Sequence, residues 1–187
     1  MNHAYSFFLL SICLHALLIS QQSAPFPEPP KDIWLRATLT GTTEPGEAMV
    51  VKGIVFHSDG KTPFPGLILY AYQTDASGFY NKTNRSWQEP RLRGWLKSDG
   101  ACNYAIRTIK PGAYPGGMIP AHIHITVRYP NGRTKWLEDF HFEGDRFLSQ
   151  EEISKSAARG TFSNIVILNP QPHGPLFGRR DIVVPEP

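Results

Sequence analysis

"PAHIHITVRYPNGRTKW", residues 120–136, is the stretch whose reading decides the fold. Ile123, Ile125 and Val127 alternate with His124 and Thr126, the period of two that turns one side of a β-strand to a core. Asn131-Gly132 follows, a pair that accepts the left-handed backbone of a tight hairpin, and leads into "KWLEDFHF" at 135–142 as the next strand. His122 and His124, at i and i+2, project from the same face of that strand, with Ile123 packed on the other.

Working outward, the same kind of run recurs. "WLRATL" at 34–39, "MVVKGIVF" at 49–56, "LILYAYQT" at 67–74, "RGWLKS" at 93–98, "NYAIRTI" at 103–109 and "FSNIVIL" at 162–168 read as strands. Turn clusters separate them, among them "HSDGKTPFPG" and the hairpin-type "DG" at 99 and 100. Seven or eight short strands at spacings of about ten residues imply an all-β sandwich or barrel. Only "LSQEEISKSAARG" at 148–160 has room for a useful helix, so one or two short helices are the most expected.

Residues 1–24 read as a secretory signal peptide. The uncharged run "FFLLSICLHALLI" at 7–19 suits the apolar part of a leader and is too short to span a bilayer of roughly 30 Å. Cys13 lacks a lipobox, because Ile12 stands where a small residue is wanted, so secretion or periplasmic export is expected rather than a lipid anchor. A proline-rich arm and first strand follow at 25–45, then one domain at 46–187 whose tail from Asn169 is expected to be irregular and to wrap over it. The formal charge of +3 comes from scattered basic residues with no run of five or six, which argues against a nucleic-acid or membrane surface. After leader removal only Cys102 remains, so an internal disulfide is excluded and a buried apolar role is expected. Asn81 and Asn84 head glycosylation sequons.

Two histidines on one strand face suit zinc, copper, iron or nickel, although such a pair alone is an ordinary feature of surfaces and cores. Tyr114, eight residues before His122 in a glycine- and proline-rich turn, adds a phenol, as does Tyr80 at the end of "TDASGFY". Each also reads as a loop aromatic packing over the sandwich end. A phenol with a pKa near 10 is a poor ligand for a weakly acidic metal and a good one for a hard ferric ion.

"GIVFHSDGKTPFPGLILYAYQTDASGFY" at 53–80, "RGWLKSDGACNYAIRTIKPGAYP" at 93–115 and "PAHIHITV" at 120–127 resemble, in order and spacing, the intradiol ring-cleavage dioxygenases of the catechol and protocatechuate type. The likeness runs from about residue 49 to 145. It implies a β-sandwich of that family's core type and a non-haem Fe(III) held by Tyr80, Tyr114, His122 and His124. It further implies that Tyr114 is the ligand that leaves and acts as a base, and that a catechol-type ring is cleaved by O2 between its hydroxyl-bearing carbons to a muconate-type diacid. Two positions depart from the family pattern. Ile119 stands where an arginine usually precedes "PAHIH", and Asp139 stands where a glutamine often borders the substrate, so a carboxylate there repels a dianionic substrate unless it is protonated or paired. Arg107, Arg128 and Arg133 are the candidates to supply the missing charge, with a surface strand position preferred for Arg107. His141 is read as a packed strand histidine, and His57 and His173 carry no pattern. The alternative to an enzyme is a catalytically weakened or inactive sandwich module that binds iron or another ligand. The family's usual helical N-terminal assembly region has no counterpart here, so a monomer or small homo-oligomer is expected.

Overall fold

Each strand's period of two decides which of its residues meet between the sheets. The computed structural model describes residues 26–33, 36–83 and 90–187; the expected leader, Cys13 and Asn84 lie outside them. The strands are β1 (Arg36–Thr38), β2 (Ala48–Phe56), β3 (Ile68–Gln73), β4 (Leu92–Lys97), β5 (Asn103–Ile109), β6 (Ile123–Arg128), β7 (Thr134–Trp136) and β8 (His141–Phe142). The helix α1 (Gln150–Ala157) and a 3-10 turn (Gly160–Phe162) precede β9 (Ile165–Val166), β10 (Asn169–Gln171), β11 (Gly174–Arg179) and β12 (Ile182–Val183).

One sheet runs β1-β5-β2-β11-β10, with β12 also on β2, and the other runs β4-β3-β6-β7. Met49, Val51 and Val55 of β2, Ile106 of β5, Leu69 and Ala71 of β3 and Ile123, Ile125 and Val127 of β6 are fully buried between them. Each of these side chains larger than alanine contributes about 1.5–3 kcal/mol of burial free energy, so this interior dominates stability. The expected all-β sandwich, with one short helix, is the fold observed. Among the described residues no helix is long and apolar enough to cross a membrane.

Three details differ from the reading of the sequence. The "DG" turn forms, with Cys102 N–H donating to the Asp99 carbonyl at 2.8 Å, but it joins β4 and β5, which belong to opposite sheets, so it is a corner and not a hairpin. The "KWLEDFHF" run is broken into β7 and β8, which pair with different strands. The tail from Asn169, expected to be irregular, carries three strands, and β11 and β12 lie parallel to the central β2. Prolines and polar residues hid that pairing because β11 covers β2 on one edge only. Cys102 is buried as expected.

The arm also has a place. Phe26 meets the Tyr70 ring at 5.9 Å, Trp95 Nε1–H donates to the Pro27 carbonyl at 3.2 Å, and Arg128 pairs with Glu28 at 3.0 Å. These residues lie on the outer face of the four-stranded sheet. That face also carries Tyr72 and, one strand over in register with it, His124.

Candidate metal centre

Residues that alternate with the core face of β6 look outward, and the histidines are among them. His124 faces Tyr72 on the neighbouring β3, their rings 4.5 Å apart. His122 precedes the strand, and its ring centroid is 4.4 Å from that of His124. Two loops bring phenols to the pair.

The first loop leaves β3 at Thr74. Asp75 shapes it: its Oδ1 accepts the N–H groups of Ser77 at 2.8 Å and Phe79 at 3.1 Å, which folds the chain back and delivers Tyr80. The second loop leaves β5 and is tied to the first by the Gly112 N–H donating to the Asp75 carbonyl at 2.9 Å and by Thr74 Oγ1–H donating to the Gly112 carbonyl at 2.7 Å. The loops touch backbone to backbone. A Cβ on Gly78, whose φ is +84°, would lie 2.1 Å from the Ala113 carbonyl oxygen, and one on Gly112 would lie 2.5 Å from that of Ala76. Only glycine permits that approach. Beyond Tyr114 the loop is open, with Met118 83% exposed and Ile119 51% exposed.

Four electron-rich atoms therefore converge. Tyr80 Oη and Tyr114 Oη are in contact, Tyr80 Oη is 2.6 Å from His124 Nε2, Tyr114 Oη is 3.0 Å from His122 Nε2, and the two Nε2 atoms are 3.0 Å apart. The tautomers follow from the partners behind the rings. His122 Nδ1 lies 2.7 Å from the Pro120 carbonyl, which only accepts, so Nδ1 carries the proton and Nε2 a lone pair. His124 Nδ1 donates to Asp139 Oδ1 at 2.9 Å, which leaves the second Nε2 a lone pair as well. Facing lone pairs are repulsive unless a cation or a proton lies between them. This donor set fits a metal ion, and the pair of phenols fits a hard one.

The electrostatics agree. Burial, then the bond with Tyr114, pushes the Tyr80 phenol far above its usual range, and burial also pushes Tyr114 up. Neither ionises at neutral pH without a strong Lewis acid beside it. Burial holds His122 below the usual imidazole range, so it stays neutral and able to donate its lone pair. Burial pushes Asp139 upward, yet the His124 bond and the charge that both histidines carry when protonated hold its carboxyl below the usual range.

Asp139 is thus paired. It lies within 4.8 Å of both imidazole donors, but His124 stands between it and the convergence point, and Trp136 Nε1–H also donates to it at 3.2 Å. It is a carboxylate that orients a ligand from behind. Ile119 is on the exposed part of the Tyr114 loop and does not line the cavity beside the site. That cavity, about 440 Å³, is walled by Tyr72, Phe79, Tyr80, Tyr114, His124 and Trp136. Among the described residues no arginine lines it: Arg107 is exposed on the opposite sheet, Arg128 is engaged by Glu28, and Arg133 is in the β6–β7 turn. His141, half-buried on β8, has its ring centroid 6.2 Å from that of His122 and is not one of the converging groups. Trp136 and Tyr72 were missed as cavity walls in the sequence; the signal for Tyr72 was its place in "LYAYQ", alternating with core residues on the strand beside the histidines.

Comparison with known proteins bears on the family. The Dioxygenase family profile matches residues 30–174. A catechol 1,2-dioxygenase of Acinetobacter lwoffii is 29% identical over 128 residues, covering 60% of this chain and 46% of that protein. The chain spans about half the length of the curated relatives it matches. The dioxygenase domain of a dioxygenase and carbohydrate-binding fusion from Streptomyces sp. SirexAA-E superimposes with a TM-score of 0.61 at 24% identity, over 88% of this chain and 99% of that one. An intradiol ring-cleavage dioxygenase from Tetranychus urticae does so with a TM-score of 0.59 at 21% identity, over 84% and 89%. Since the family profile covers well over half of its length, the chain belongs to the intradiol ring-cleavage dioxygenase family.

Proposed function

We propose that the protein is a non-haem Fe(III) intradiol dioxygenase that opens a catechol-type ring between its two hydroxyl-bearing carbons with O2, giving a muconate-type diacid. The observation that carries the proposal is the convergence of Tyr80 Oη, Tyr114 Oη, His122 Nε2 and His124 Nε2 on one point at the wall of an aromatic cavity. These four residues would hold the ion. When bound, ferric iron supplies the Lewis acidity that keeps phenols ionised at neutral pH and the redox chemistry that O2 requires.

The chain's own residues do the rest. Tyr72, Phe79 and Trp136 form a largely apolar slot that takes an aromatic ring and displaces water from it. Tyr114 Oη, as a phenolate, is placed to take a substrate hydroxyl proton, and the open backbone after it gives its side chain freedom to turn. The bonds from Pro120 and Asp139 keep both imidazoles pointing their Nε2 atoms inward throughout. Export through the leader at 1–24 belongs to the same proposal, supported by the uncharged apolar run at 7–19.

One observation favours a weaker second reading. Among the described residues no cation lines the cavity, and loss of one electrostatic stabiliser costs about 10²–10³ in rate. Visible absorbance of iron-loaded protein and O2 uptake with a panel of catechols and hydroxyquinols test both readings. Phenolate-to-iron colour with O2 uptake is expected. Colour without uptake would leave a binding module, and a colourless iron-loaded protein would overturn the ligand set.

A further inference from the structure

On the far side of Trp136 is a second cavity, about 290 Å³, that the chemistry above does not use. One wall is Arg180, 5% exposed, which sits where the β11–β12 run departs from regular pairing along β2. Its backbone is fully engaged: the N–H donates to the Lys52 carbonyl at 2.9 Å, and the carbonyl accepts from Tyr104 Oη at 2.6 Å. Gly53 leaves room for that carbonyl, since a Cβ there would lie 1.7 Å from it. The guanidinium is held over the Phe140 ring at 4.1 Å, but no described residue accepts a hydrogen bond from its buried Nε or Nη1. Burial brings its pKa down to about 10, so it remains a cation at neutral pH. A guanidinium whose three N–H groups on Nε and Nη1 are buried without an acceptor is costly unless negative charge meets it.

The acids nearby are already engaged. Glu138 accepts from Arg159, Asp181 accepts from Arg179 at 2.9 Å and from the Ile54 N–H at 3.0 Å, and Asp139 is held by His124 and Trp136. Lys135 adds a further amine to the same cavity, while Leu137, Phe162 and Ile182 make other parts of its wall apolar. Cationic groups set beside apolar walls suit a particular ligand shape, a carboxylate on a hydrophobic body, for which a guanidinium fork is the matching donor.

We propose that this cavity is a binding site for an organic carboxylate, anchored by Arg180 and Lys135 and separated from the candidate metal centre by the Trp136 indole. The site stands independently of the ring-cleavage reading, because none of the four converging ligands lines it. Calorimetric titration of the whole protein with benzoate, at ionic strength fixed by sodium chloride, tests it. Saturable binding, roughly millimolar or tighter, is expected. Arg180→Met should weaken it by about tenfold or more, and Lys135→Glu, at an exposed position on β7 where folding is not at stake, by a similar factor. His122→Ala should leave it unchanged. No saturable heat, or undiminished binding in Lys135→Glu, would overturn the proposal. Loss of binding in His122→Ala would place benzoate in the metal cavity and overturn it equally.

Discussion

His124 is gripped from behind by one carboxylate, and that grip sets which of its nitrogens faces the converging phenols. Asp139→Ala removes the acceptor for Nδ1–H, lets the ring rotate or change tautomer, and also frees the Trp136 indole. Loss of such an outer-shell partner typically costs 10–100-fold in metal affinity. Iron retention against a chelator, followed by the charge-transfer band, should show that loss while the far-ultraviolet circular dichroism stays unchanged. His124→Ala and Tyr80→Phe should be more severe, with iron lost outright; iron content equal to the parent in both would refute the assignment. At this scale the sequence carried much of the site, because His-x-His on a strand and two tyrosines at turn positions are marked by residue type. It did not carry the role of Asp139. Whether that carboxylate faces the cavity or the back of an imidazole depends on the break between β7 and β8, which the residue pattern there does not reveal.

Elements position these residues through backbone contacts that side-chain patterns conceal. The loops bearing Tyr80 and Tyr114 are clasped at Gly78 and Gly112, whose lack of a side chain makes them the points of closest approach. The freedom lies downstream, at Gly116 and Gly117. Gly78→Ala forces a side chain into a left-handed backbone and against the Ala113 carbonyl, and should destabilise the fold by about 2–4 kcal/mol in urea unfolding. Gly116→Ala meets open space and carries only the conformational cost. A smaller loop gives a pH signature. Asp59 accepts from Thr62 Oγ1 and from the N–H groups of Thr62 and Lys61, which together lower its carboxyl from 3.8 to about 2. A depressed folded pKa means stability that is fully present above the unfolded value and is lost as pH falls from 3.8 through about 2. Asp59→Asn should flatten the acid limb of the stability profile in that window, and an unchanged limb would remove Asp59 as a contributor.

The whole molecule is closed by its C-terminal end. β11 and β12 complete the sheet along β2, and Ile182 and Val184 fill the interior beneath. Ile182→Ala should cost about 2–4 kcal/mol, read as a shift in the urea midpoint at unchanged slope. The turn chemistry of "NPQPHGPLFGRRDIVVPEP" masked this role, because parallel pairing to a distant strand leaves no local period. The sandwich itself was legible, since alternation and turn spacing are local properties that tertiary contacts only reinforce.

The outward placement of the histidines has an evolutionary consequence. From His122 to Val127 the chemistry and the interior use different, interleaved residues, so substitution along that segment should produce two alternating phenotypes. Changes at Ile123, Ile125 or Val127 lower the melting temperature, whereas changes at His122 or His124 abolish metal retention and leave folding intact. A lineage can discard one set without disturbing the other. Descendants that keep the scaffold and lose the reaction would fold as well as their parent, and the loss would register only in the spectrum.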